Sequence, residues 1–112
     1  MTHMKIIQLQ ASVAKPIGVI TDEVRNVVSN ICLGIDDMKF LGNKALVLRA
    51  EIYPKKLQAL YDDLSIIGIT ISKQSLPELD QFGDEIEYPL SLQIISFSDD
   101  TDRKVIIPNV PG

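Results

Sequence analysis

Apolar and polar residues alternate from the start of this chain. In "KIIQLQASV" (residues 5–13), Ile7, Leu9, Ala11 and Val13 fall on one side and Gln8, Gln10 and Ser12 on the other. A period of two predicts a half-buried strand. Lys15-Pro16 breaks it. Thr21, followed by Asp22 and Glu23, reads as an N-cap with acids in the first turn, where they oppose the positive end of the helix dipole; Pro16 offers an earlier start. Val24, Val27, Val28, Ile31, Cys32 and Ile35 then recur at helical spacing, and Gly34 lies where a glycine would end the helix.

The next two apolar runs, "IDDMKFL" and "KALVLRAEI", flank Gly42-Asn43, which predicts a hairpin with Leu46, Leu48, Ala50 and Ile52 on one face. On the other face Val47, between Ala45 and Arg49, leaves the surface partly apolar. Pro54 suits the first position of a second helix, in which Leu57, Leu60, Tyr61, Leu64 and Ile67 repeat until Gly68. Each helix leaves through Gly-Ile into a strand, as "LGIDDM" and "IGITIS".

The resulting order, βαββαβ, predicts an α+β fold. Two split β-α-β units with right-handed crossovers give an antiparallel sheet with both helices on one face, the ferredoxin-like plait. That core occupies residues 4–75 and is followed by an acidic loop at 76–87. Residues 88–112 read as an extra C-terminal hairpin and tail. In its first strand Tyr88, Leu90, Leu92 and Ile94 alternate with Pro89, Ser91 and Gln93, and Ile94-Ile95 breaks phase as a bulge does. In its second, Val105, Ile106 and Ile107 are consecutive, which suits a strand covered on both faces and places these three residues at or beside a homodimer interface.

Composition narrows the class. With 112 residues, 46% of them hydrophobic and 23% charged, the chain suits one folded domain. A single cysteine, Cys32, allows no internal disulfide, and the first residues carry no signal-peptide pattern, so a cytoplasmic protein is expected. No run approaches the roughly 18 apolar residues of a membrane span. The net charge of −4 disfavours nucleic acid, whose binding rests on Lys and Arg. Residues 1–77 carry a balance of +2 and residues 78–112 a balance of −6, so the acidity sits in the last third.

Catalytic equipment is sparse. One His, at position 3, and one Cys give no zinc ligand set and no imidazole-activated nucleophile, and no Walker loop, G-x-S-x-G turn or G-x-G-x-x-G fingerprint is present. No metal or cofactor is implied. Cys32 belongs to the apolar stripe of the first helix, as a small hydrophobe. Asp99, Asp100 and Asp102 suit a turn bonded to its own backbone. Lys55 and Lys56, in the first turn of the second helix, oppose its dipole; they are either a solvated face or an anion site for phosphate or a partner's carboxylate.

The runs "KPIGVITDEVRNVVSNICLGID" and "NKALVLRAEIYPKKLQALYDDLSIIGITI" resemble the small regulatory modules of the ACT and NIL type across about residues 4–73. The resemblance implies a ferredoxin-like domain and, at Gly18 in the loop before the first helix, contact with an amino-acid ligand in a dimer. Here "PIGV" replaces the usual Pro-Gly pair.

These features favour a non-enzymatic domain that self-associates, most simply as a homodimer, and binds a protein or small ligand through Gly18, Lys55 and Lys56. Two alternatives stay open. One is an acidic inhibitor or immunity-type protein that docks on a basic partner. The other is a small carboxylate-dependent enzyme, whose mark would be a buried acid.

Overall fold

The computed structural model describes residues 5–83 and 85–97. The first predicted strand forms as β1, Ile7–Val13, with strictly alternating buried positions. Helix α1, Ile17–Ile31, starts directly after Pro16. The expected cap at Thr21 is therefore corrected: Thr21 lies inside the helix, where its hydroxyl donates to the Ile17 carbonyl at 2.7 Å. Asp22 sits in the second turn and pairs with Arg25 at 3.1 Å. The apolar positions of α1 face the core through Ile17, Ile20, Val24 and Val28.

The end of α1 also differs from expectation. The Cys32 amide closes it by donating to Val28, and the Leu33 amide already donates to the Glu51 carbonyl, both at 2.8 Å. Gly34 is thereby the first residue of strand β2, Gly34–Leu41, and not a helix cap. The turn at 42–44, with Gly42 at φ 63°, leads to β3, Ala45–Ile52, in which Leu46, Leu48, Ala50 and Ile52 are all buried. A 3-10 turn, Pro54–Lys56, precedes helix α2, Leu57–Ile66. Gly68, at φ 91°, turns the chain into the short strand β4, Ile69–Ile71. Such positive angles favour glycine because a Cβ would crowd the backbone.

The last third departs most from the predicted plan. Strand β5, Tyr88–Ser96, is no appended hairpin strand. It lies in the middle of a five-stranded mixed sheet of order β2-β3-β5-β1-β4. It runs parallel to β1, with Leu92 in register with Leu9, and antiparallel to β3, with Leu92 in register with Leu48. The sheet is thus neither fully antiparallel nor a simple plait. No bulge occurs at Ile94-Ile95, and both residues stay in register with β1 and β3. The irregularity in the sheet lies instead between Ile35 and Asp37. Val105, Ile106 and Ile107, with Asp99, Asp100 and Asp102, lie outside the described residues.

The driving force for this placement is visible in the rows of side chains that run across the sheet. Leu9, Leu92, Leu48 and Met38 form one such row, and Ala11, Ile94, Leu46 and Phe40 another. With β5 inserted, Leu90, Leu92 and Ile94 join a single buried cluster that extends from Ile7 to Ile94 and includes Leu57, Leu60 and Leu64 of α2. Each of these large side chains contributes on the order of 1.5–3 kcal/mol when fully buried. Two helices, each about 10 Å across, cover about four strand spacings of roughly 4.8 Å. Coverage thins at β2, where Phe40 is 51% exposed.

Candidate functional site

Strand alternation leaves the opposite face of the sheet without helices, and it is ordered in three rows. Asp37, Arg49, Ser91 and Gln8 stand opposite one another across β2, β3, β5 and β1. They border a hollow of about 360 Å³ that Ile6 and Pro89 also line. The next row is Lys39, Val47, Gln93 and Gln10, and the third is Leu41, Ala45, Ile95, Ser12 and Thr70. The charged side chains Asp37, Arg49 and Lys39 fall in the first two rows, and the third ends the face with Leu41, Ala45 and Ile95. At its apolar end Leu41 and Ile95 are 53% and 47% exposed.

The loop after β4 flanks this face and is tied to β1. Ser75 Oγ accepts the Gln10 amide at 3.1 Å and donates to the Ser72 carbonyl at 2.7 Å, while the Ser72 amide donates to the Gln10 carbonyl at 2.7 Å. Further along, Lys5 Nζ donates to the Gln81 carbonyl at 2.8 Å and lies 5.4 Å from the Phe82 ring centroid.

The predicted ligand residues are not brought together. Gly18 lies in the first turn of α1, just beyond the end of β1, exposed and with open space where a Cβ would stand. Lys55 and Lys56 follow β3, which runs antiparallel to β5 and hence to β1, so they occupy the other end of the sheet. Lys55 Nζ stands 3.5 Å from Glu85 Oε2 and 5.8 Å from the Tyr53 ring centroid. The carboxylate that meets this lysine belongs to the chain's own loop. Lys56 is exposed at the residue before α2.

Cys32 is buried among the core residues, and desolvation pushes its thiol up from the ordinary 9.0 to about 11. A protonated thiol is a poor nucleophile. Among the described residues no Asp or Glu is buried, so the mark of a carboxylate-dependent enzyme is not among them. No group of three or more His, Cys, Asp or Glu there could hold a metal ion. Among the described residues no helix is long and apolar enough to cross a membrane.

A groove unforeseen in the sequence lies between α2 and the following loop. About 390 Å³ in volume, it is lined by Leu57, Tyr61, Leu76, Pro77 and Leu79, with Gln58 and Lys73 as polar members. Its sequence signal was Leu76, Pro77 and Leu79, apolar residues at the start of an acidic loop. No protein-family model, curated protein or solved structure matches this chain.

Proposed function

We propose that this domain is a non-enzymatic binding module that self-associates and takes a protein partner on its helix-free sheet face. The observation that supports it is the face itself, where exposed Leu41 and Ile95 adjoin a row that carries Lys39, Gln93 and Gln10. Apolar side chains rimmed by polar ones on a flat surface are the anatomy of a protein interface. A small ligand in the groove beside α2 is compatible with the same reading.

The fold suits this role as an elaborated plait. Without β5 the strand order would be β2-β3-β1-β4, that of a ferredoxin-like sheet, and β5 widens the free face by one strand. The acidic-docking reading draws on Glu78, Asp80 and Glu87, which are exposed. Capture from lysate of the native cell, with the wild type, Ile95→Asp and Glu78→Lys with Asp80→Lys as baits, separates the two. The sheet-face reading expects a partner lost with Ile95→Asp and kept by the charge-reversed bait. The opposite pattern would move the acidic surface ahead.

A further inference from the structure

The two edges of the sheet are unequal. β4 offers three residues and continues into the hydrogen-bonded Ser72–Ser75 turn, whereas β2 offers eight, most of them exposed. An edge strand displays unpaired N–H and C=O groups, and proteins commonly blunt it with charge. On β2 the charges are of both signs on one face: Asp37 and Lys39 stand two residues apart, opposite Arg49 and Val47 of β3. Neither has an ion-pair partner among the described residues.

We propose that β2 pairs antiparallel with β2 of a second copy, about a two-fold axis at Met38, joining two sheets into one. This rests on the self-association in the reading above and names its surface. A two-fold axis perpendicular to the sheet keeps like faces together, so pairing can only be centred on a residue of the strand. Centring on Asp37 or Lys39 sets identical charges opposite each other. Centring on Phe40 puts Met38 opposite the turn glycine, Gly42, which has left the strand. Centring on Met38 sets Asp37 opposite the partner's Lys39 and Lys39 opposite the partner's Asp37, two symmetric ion pairs.

The same register accounts for the apolar side. Met38 is half-buried and Phe40 is exposed on the helix-bearing face. About the axis, Met38 meets the partner's Met38, and Phe40 lies diagonal to it, within reach of an aromatic side chain. The irregularity at Asp36 bounds the ladder. Charges that block an arbitrary strand thus admit a second copy, in one register. The helix-free faces of both copies then form one continuous floor.

Light scattering across a dilution series, at low and high salt, tests this with the wild type, Asp37→Lys, Lys39→Asp and the exchange Asp37→Lys with Lys39→Asp. Because Arg49 faces position 37, thermal melts accompany each variant. The expected result is a dimer that either single reversal weakens by about tenfold or more, since two attractions become two repulsions, and that the exchange restores. A dimer indifferent to all three variants overturns the β2 edge and leaves self-association standing. A wild type that stays monomeric throughout overturns both. Weakening without restoration by the exchange overturns the Met38 register.

Discussion

The backbone N–H of Gly83 donates to the hydroxyl of Tyr88 at 2.9 Å, so the first residue of β5 holds the loop that leads into it. The Phe82 ring meets Tyr88 edge-on at 4.8 Å and 82°. Tyr88→Phe keeps the ring contact and removes the acceptor. It should cost about 1 kcal/mol and speed amide exchange at Gly83, read by NMR. Unchanged exchange there would show that the hydroxyl does not hold the loop.

Leu92 reports the position of β5. Flanked by Leu9 and Leu48 and fully buried, it should lose about 2–5 kcal/mol on Leu92→Ala. Ile95→Ala, on the free face of the same strand and 47% exposed, should lose less than about 1 kcal/mol. Denaturant melts compare them. Similar small losses at both sites would be those of a peripheral hairpin and would contradict a central β5.

Cys32 offers a test by pH. Its folded value, about 11, lies above the ordinary 9.0 because burial disfavours the thiolate. The folded state therefore holds the thiol proton more tightly than the unfolded state. The resulting stabilisation is fully present below pH 9.0 and is lost as pH rises towards about 11. The quantity to measure is the difference between wild type and Cys32→Ala melts, which isolates the thiol. It should shrink across that window. At neutral pH a thiol reagent should label the native protein slowly, and rapid labelling would place the side chain at the surface.

Gly68 and Gly34 form a matched pair for backbone strain. An added Cβ meets no atom within 4 Å at either, yet only Gly68 of the two has a positive φ, at 91°. Gly68→Ala should therefore cost about 1–2 kcal/mol, and Gly34→Ala very little. Equal melting midpoints for the two variants would remove the left-handed angle as the cause.

Much of this architecture was legible because alternation and helical spacing report which side chains meet the core. Ile7, Leu9, Ala11 and Val13, then Leu46, Leu48, Ala50 and Ile52, and Val24 and Val28 all became buried as their spacing required, while Val27 of the helix stripe is only partly buried. Alternation is silent about neighbours. Leu90, Leu92 and Ile94 present the same pattern whether their strand lies at an edge or between β1 and β3, and the opposite Ser91 and Gln93 looked like the solvated side of an appended hairpin. Thr21 was misread because a helix-interior threonine bonded to the preceding turn carries the same local signature as a cap. The separation of Gly18 from Lys55 was legible in principle: one follows β1 and the other β3, which run in opposite directions.

The hydrogen bond from Ser96 Oγ to the Lys15 carbonyl spans 81 residues of chain, and the whole β1–β5 ladder is comparably long-range. Before β5 is made, the chain can form the β2-β3 hairpin and begin to gather β1 and β4, but it cannot complete the sheet. β1 and β3 each wait with an apolar row and an unsatisfied edge, or they pair with each other and must part to admit the last strand. Such non-local closure is slow and exposes strands to wrong partners. For this protein the hazardous interval is the one before β5 joins the sheet, when most of the core residues are present and the strand that unites them is not.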